Sequence, residues 1–372
     1  MLLKMQANKF NFCALLVACA FPLVIASCSQ EPKAEKIVID NSSPRLDVNG
    51  QIIDAHGGCL QFFNGTYYLY GNKFGTNHDD VFLNCPFSVY SSPNLRDWTY
   101  VGNLLKGAPN GYYYRPYVVF NPKTKKYVLW YNWYQKLWEG NAGVAMSDSP
   151  TGPFVVVNRR AHLSGTSPGD GTLFVDDDGT GYYIYTDIAN DYAVRAEKLN
   201  ADFSDTSGHG SVFIGFGAEA PLMFRRHNLY YILAGTLCAA CKEGAEVGVE
   251  ISSSPLGPYK FAGEINHQSG HDTMQASSDS TLEGDAGSNG PSGYWHPREK
   301  KDPFIHAQET WVAKIPAANG DSMYLWMADG WYSTPDGTRG HDFQYWSSPL
   351  QFNADGTIQP LKLDPQWVLP AD

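Results

Sequence analysis

Apolar and polar positions alternate in short runs along most of the chain, and the runs repeat on one plan. A polar residue leads, an apolar strand follows, a turn reverses the chain, an aromatic strand returns, and a further strand ends near Ser, Pro or Gly-Pro. The first unit opens Asp54-Ala-His-Gly-Gly-Cys-Leu, turns at Asn64-Gly65 and returns through Tyr67 to Tyr70. Asn-Gly between apolar runs is a hairpin signal, because both residues accept positive φ at little cost. The second unit opens Arg115-Pro-Tyr-Val-Val-Phe and returns as Tyr127 to Tyr131; the third opens at Asp170 and turns on Asp176-Asp-Asp-Gly. The fourth opens Glu219-Ala-Pro-Leu-Met-Phe, and the fifth opens near His306-Ala-Gln-Glu-Thr-Trp.

Units of several short strands, recurring at intervals of roughly 40 to 60 residues, predict radial repetition, which is an all-β propeller. A β-sandwich is the alternative, but it gives no reason for a polar residue to lead each unit. The expected organisation is one domain over 46–372. It is interrupted by a polar stretch over 266–303, rich in Ser, Gly and Asp and without periodicity, that reads as a loop. The acidic turn at Asp176 lacks the further spaced ligands of a calcium loop and reads as a plain turn.

Composition agrees with this and narrows the partners. The 372 residues include 23 Tyr, 10 Trp, 36 Gly and 23 Pro, a profile of many strands and tight turns. A formal net charge of -11 argues against a nucleic acid partner, whose binding needs clustered Lys and Arg. A neutral ligand fits better. Lys4 and Lys9 precede the apolar run Cys13 to Ile25, too short to span a membrane comfortably, and the run ends Val24-Ile25-Ala26-Ser27-Cys28. The segment 1–27 therefore reads as a signal peptide. Its end resembles the lipobox of bacterial lipoproteins, which implies acylation of Cys28, a tether over 28–45 and a lipid-anchored place in the cell envelope. Cys59, Cys85 and the pair Cys238 and Cys241 read as structural thiols or a disulfide, since a zinc site would need more ligands than one CxxC supplies.

The residues that carry chemistry are the lead residues. Glu219 stands between small residues at the head of an apolar strand, at the open end of a hairpin, and Asp170 leads the preceding unit. Two carboxyl groups of this kind suit glycoside cleavage, in which one protonates the leaving oxygen while a neighbour tunes its pKa. The plainer reading of Glu219 is an ion pair with Arg225 or Arg226. Asp170 before Asp176-Asp-Asp-Gly, followed by Glu219-Ala-Pro221, resembles glycoside hydrolase family 43, a family of five-bladed β-propellers with the active site at the axial mouth. That resemblance implies that Glu219 is the general acid and Asp170 its orienting partner.

The family's blade-one Asp-Pro is replaced here by Asp54-Ala-His-Gly-Gly, which resembles the exo-β-1,3-galactanase subgroup, where a Gln opening blade five is proposed to serve the water. Gln308 matches that position, with Asp54 and Glu309 as competing candidates. The same subgroup opens blade two with Glu-Arg-Pro, whereas this chain has Tyr114-Arg115-Pro116, and it carries Glu where this chain has Asn72. Galactan specificity is thereby open. Candidate sugar contacts are His56, Tyr114, Arg115, Trp133, Asn190 and Trp331, since sugar faces pack on aromatic rings and hydroxyls need directed hydrogen bonds. Each aromatic could equally be core, and a satisfied buried histidine is the plainer account of His56 and His341. No cofactor or catalytic metal is implied, although family members can hold a calcium ion on the axis. The function expected is an exported, exo-acting, inverting glycoside hydrolase on galactan-like or other plant-type oligosaccharides. The alternatives are α-L-arabinofuranosidase or β-xylosidase specificity, or a non-catalytic glycan-binding propeller.

Overall fold

Every repeat seen in the sequence is one antiparallel sheet. A computed structural model describes residues 36–76, 82–136, 140–215, 217–236, 246–266, 304–317, 320–334 and 336–370. After β1 (Val38–Asp40), the first blade is β2 (Leu60–Phe63), β3 (Thr66–Asn72), β4 (Phe87–Ser92) and β5 (Thr99–Asn103). The second is β6 (Tyr112–Asn121), β7 (Lys126–Tyr134), β8 (Ala142–Ser147) and β9 (Val155–Asn158). The third is β10 (Pro168–Val175), β11 (Gly181–Asp187), β12 (Ala193–Leu199) and β13 (Thr206–Gly215). The fourth is β14 (Ala218–Arg226), β15 (Leu229–Thr236), β16 (Val247–Ser252) and β17 (Lys260–Asn266). The fifth is β18 (Gln308–Pro316), β19 (Ser322–Gly330) and β20 (Phe343–Trp346), and β21 (Gln366–Val368) pairs with β1.

The leading strands follow one another round a ring: β6 packs against β10, β10 against β14, β14 against β18, and β18 returns to β2. The fold is a five-bladed β-propeller. Second strands lie between blades and are apolar almost throughout; in β7 every residue after Lys126 is buried. The outermost strands β5 and β9 face solvent and alternate or are largely exposed. Where blades meet, polar side chains of one clasp the backbone of the next. Asn72 Nδ2 donates to Tyr113 O at 2.8 Å, Thr186 Oγ1 to Ala218 O at 3.1 Å and Asn266 Nδ2 to Ile305 O at 2.9 Å, while Asn132 Nδ2 donates to Gly169 O. These bonds satisfy carbonyls that the ladders leave over.

A one-residue bulge stands at the head of all five leading strands. His56 pairs with Asn72 and the next pairing is Cys59 with Tyr70; Tyr114 pairs with Asn132, then Tyr117 with Trp130. The same step of three residues against two separates Pro168 from Gly171, Glu219 from Leu222, and Gln308 from Trp311. A bulge re-aims the side chains beside it, so each blade presents its lead residues differently from the strand behind them. Positive φ at Gly57 (62°), Arg115 (53°) and Ala220 (51°) marks three of the five. Gly58 is required for a separate reason: a Cβ there would lie 2.0 Å from Tyr70 O.

The polar stretch before the domain is shorter than the sequence suggests. Val38 to Asp40 pair with Gln366 to Val368, and Asn41 brackets the edge of the fifth blade, its Oδ1 accepting from Trp346 N at 2.9 Å. The fold therefore begins near Lys36 rather than at 46. Its three-stranded last blade needs this edge covered. Cys59 and Cys85 are buried free thiols. The expected signal segment 1–27, Cys28, residues 267–303 of the expected insertion, Cys238 and Cys241 lie outside the described residues.

Candidate active site

Arg115 is the hub where three blades meet. It sits in the bulge of β6 with a left-handed backbone, and its guanidinium is buried among acceptors from two other blades. Nη2 donates to Asp170 Oδ2 at 2.8 Å and to Gln308 Oε1 at 3.1 Å, and Nη1 donates to Glu309 O at 3.1 Å. Burial, the largest single influence, works against the Arg115 charge, but Asp170, Tyr117 and Glu309 together outweigh it and hold the group above its ordinary pKa. The Asp170 carboxylate, 13% exposed, is thereby fixed from behind and reachable from in front.

Gln308 is pinned by a second donor, Trp331 Nε1, at 3.0 Å from the same Oε1. Arg and Trp can only donate, so their two bonds identify that atom as the oxygen. Gln308 Nε2, a donor, is left buried with no partner among the described residues. Glu309 follows it with both carboxyl oxygens buried and without a hydrogen-bond partner on any other described residue. Complete burial pushes its pKa up to about 8; its own backbone N–H and Arg115 pull the other way, while the charges of Asp170 and Glu219 add to the rise. Glu219, at the bulge of β14, keeps part of its surface exposed. Its charge and that of Asp170 are felt together at Glu309 and at Tyr134, whose own pKa burial raises. Asp170, Glu219, Gln308 and Arg115 thus converge, from four blades, on one place.

Asp54 and His56 belong to the neighbouring seam between the last blade and the first. Asp54 accepts from Phe74 N at 2.9 Å and Gly75 N at 2.6 Å, so both its oxygens are committed to backbone. His56 is fully buried; its Nδ1 lies 3.1 Å from Asp329 Oδ1, and Gly57 N donates to Asp329 Oδ2 at 2.5 Å. Burial opposes the imidazolium, but Asp329 and then Asp54 more than compensate, raising the His56 pKa to about 9. Among the described residues no three His, Cys, Asp or Glu come together as a ligand set. His341 is turned away to Asp336, at 2.9 Å.

The aromatic candidates separate. Trp331 joins the hub through Gln308, and its ring lies 6.1 Å from His56. Tyr114 is buried, its hydroxyl hydrogen-bonded to that of Tyr134 and its ring 5.5 Å from Phe82. Trp133 packs 6.4 Å from Tyr113 in the wall between the first two blades, with no described contact to the hub. Asn190 lies on the turn after β11, and the next residues, Asp191 and Tyr192, hydrogen-bond to the chain just before Glu219. Asn72, in place of a glutamate, is buried and spent on Tyr113 O.

Sequence reading passed over Tyr134, Tyr192 and Arg339. Tyr134 ends a strand that reads as core, and Tyr192 looked like a loop tyrosine, yet the Glu219 charge reaches both. Arg339 sits in a 3-10 turn (Arg339–His341), its guanidinium 4.7 Å from the Trp331 ring and 4.2 Å from the Tyr332 ring. A lone Arg in a Gly-rich loop carries no sequence signal for this.

Comparison with known proteins bears on the family and the fold. Residues 59–282 match the family model described as Glycosyl hydrolases family 43. The chain is 26% identical over 300 residues to an arabinoxylan arabinofuranohydrolase of Bacillus subtilis (strain 168), covering 65% of this chain and 56% of that protein. It is 25% identical over 303 residues to one from Paenibacillus polymyxa, covering 68% of this chain and 45% of that protein. The chain spans about half the length of these curated relatives. Among solved structures it resembles a family 43 β-1,3-galactosidase at a TM-score of 0.70 and 23% identity, covering 90% of this chain and 64% of that one. An exo-β-1,3-galactanase from Clostridium thermocellum matches at a TM-score of 0.70 and 23% identity, covering 88% and 66%. One from Phanerochaete chrysosporium, solved with β-1,3-galactotriose, matches at 0.69 and 20%, covering 90% and 68%. At these identities the structural likenesses speak for the fold, and the family model covers more than half of the sequence: the chain belongs to the glycosyl hydrolases family 43.

Proposed function

We propose that the protein is an exo-acting, inverting glycoside hydrolase that removes a terminal sugar from galactan-like or other plant-type oligosaccharides. The observation that carries this reading is the Arg115 hub, which gathers Asp170 and Gln308 beside the partly exposed Glu219. Glu219, protonated, gives its proton to the glycosidic oxygen as the bond to the anomeric carbon breaks. Water adds to that carbon from the opposite face, held by Gln308 Nε2, and the proton it loses goes to a carboxylate. Gln308 is a poor base in this setting, because an imidic acid would turn an O–H against two obligate donors, Arg115 and Trp331. Asp54 is committed to two backbone N–H groups. Glu309, adjacent to Gln308 and with both oxygens unpartnered, is the remaining acceptor.

A second reading, release of arabinofuranose from arabinoxylan, is favoured by the names of the curated relatives. Incubating purified protein with aryl glycosides, β-1,3-galactan and arabinoxylan, and following the anomer of the first product by NMR, tests both. Binding without turnover on every member would make the protein a glycan-binding module instead. The sequence before Lys36 supports export and lipid attachment at Cys28; Cys28→Ala should move the protein from the membrane to the soluble fraction, and unchanged partition would refute the anchor.

A further inference from the structure

The tyrosine next to Trp331 lies outside every role given so far. Tyr332 is 47% exposed, whereas Trp331, one residue before it, is 6% exposed. Gln308 opens β18 and pairs with Asp329 near the end of β19, so the chain that continues past Gly330 leaves the sheet on the side where the hub lies. It turns there at once, with φ of 58° at Tyr332. Behind the two rings the Arg339 guanidinium lies 4.7 Å from Trp331 and 4.2 Å from Tyr332, and the Arg339 side chain is 4% exposed. The Arg339 contact is the ring's one described interaction, and the phenol makes no hydrogen bond among the described residues.

We infer that Tyr332 is an aromatic platform for the second sugar of the chain being trimmed, the one that leaves with the glycosidic oxygen. This rests on the hydrolase reading above. Exposure rises outward from Gln308 at 2% through Trp331 to Tyr332. In a site that takes terminal sugars the residue at the inner end meets the first ring and the residue at the outer end meets the next. A pyranose presents C–H groups on one face, and these pack on an aromatic ring whose hydroxyl can stay wet. The cation beneath fixes the ring at little entropic cost on binding. The ligand class is therefore a neutral oligosaccharide of at least two sugars, bound by its ring face and not by charge.

Calorimetry on the Glu219→Gln form, which should bind without turnover, separates this from a shielding role for Tyr332. The probes are galactose with β-1,3-galactotriose, and arabinose with arabinosylated xylobiose. Adding Tyr332→Ala should weaken the trisaccharide that binds by about 5- to 10-fold, as expected for one aromatic contact. The matching monosaccharide should change by less than about twofold, Tyr332→Trp should restore binding, and the melting temperature should hold. Equal weakening of both sugars, no weakening of either, or a loss that tracks a lower melting temperature would overturn the platform. If the parent form binds neither trisaccharide, the hydrolase reading falls with it; if it binds and Tyr332→Ala has no effect, only the platform falls.

Discussion

Two neighbouring polar clusters occupy corresponding heads of the blades and have opposite fates. At the seam, Asp54 and Asp329 have given their oxygens to Phe74 N, Gly75 N, Gly57 N and His56. At the hub, Gln308 Nε2 and both oxygens of Glu309 are buried without partners among the described residues, and Asp170 keeps a reachable face. The first arrangement holds the ring closed; the second leaves groups available to a substrate. A buried polar atom without a partner costs about 1 to 3 kcal/mol, so a fold retains several in one place only where something else repays them. The residue types are similar in the two clusters. What differs is the carboxylates: Asp54 and Asp329 at the seam are hydrogen-bonded, although His56 Nε2 and Gln344 Oε1 beside them also lack partners among the described residues, while neither oxygen of Glu309 at the hub is bonded to another residue.

The largest expected effect is at the hub. Glu219→Gln keeps size but has no proton to give, and turnover should fall by roughly two to four orders of magnitude while binding persists; an equally active variant would remove Glu219 as the acid. Arg115→Lys keeps the charge but loses the fork that serves Asp170, Gln308 and Glu309 together. Turnover should drop by roughly 10- to 1000-fold, with KM moving less than kcat, and steady-state kinetics reads the split.

Glu309→Gln sharpens the comparison because it should move activity and stability in opposite directions. The folded pKa is raised from 4.5 to about 8, so the stability this group contributes is full below about pH 4.5 and is lost as pH rises through about 8. Around Glu309 stand Arg115 on β6, Asp170 on β10 and Glu219 on β14. The variant should be relatively more stable than wild type at pH 9 in thermal melts, yet should lose the rise in kcat/KM with pH that ionisation of Glu309 gives. Full activity with an unchanged pH profile would remove Glu309 as the proton acceptor. At the seam the effect should be smaller and purely structural. Asp54→Asn replaces one of two charged acceptors by an amide nitrogen facing an N–H, costing about 2 kcal/mol and a few degrees of melting temperature, with kcat changed less than about threefold. A large loss of kcat at unchanged stability would return Asp54 to the catalytic group.

His56 adds a pH dependence of its own at the seam. Its folded pKa is raised from 6.5 to about 9, so the ion pair with Asp329 is complete below about pH 6.5 and its contribution fades as pH climbs past about 9. His56→Phe should flatten the alkaline part of the stability curve, which denaturant melts across pH 7 to 10 would reveal.

What the sequence determined by itself was the periodic part. Short strands in a fivefold plan, the Asn64-Gly65 turn and the polar leads at Glu219, Asp170 and Gln308 follow from local preferences and from a spacing that any reader of the chain can lay out. The propeller follows from the repeat, because a single blade buries neither face alone. The tertiary structure decided which acceptors are spent. Asp54 is as polar in the sequence as Asp170, and only the approach of Phe74 and Gly75 takes it out of contention. Trp133 and Trp331 are equivalent as letters, but one packs beside Tyr113 and the other donates to Gln308. The bulges, the Arg115 hub joining residues up to 194 positions apart and the Arg339 support beneath Tyr332 have no local signal. They arise when the ring closes and distant strands compete for the same few donors.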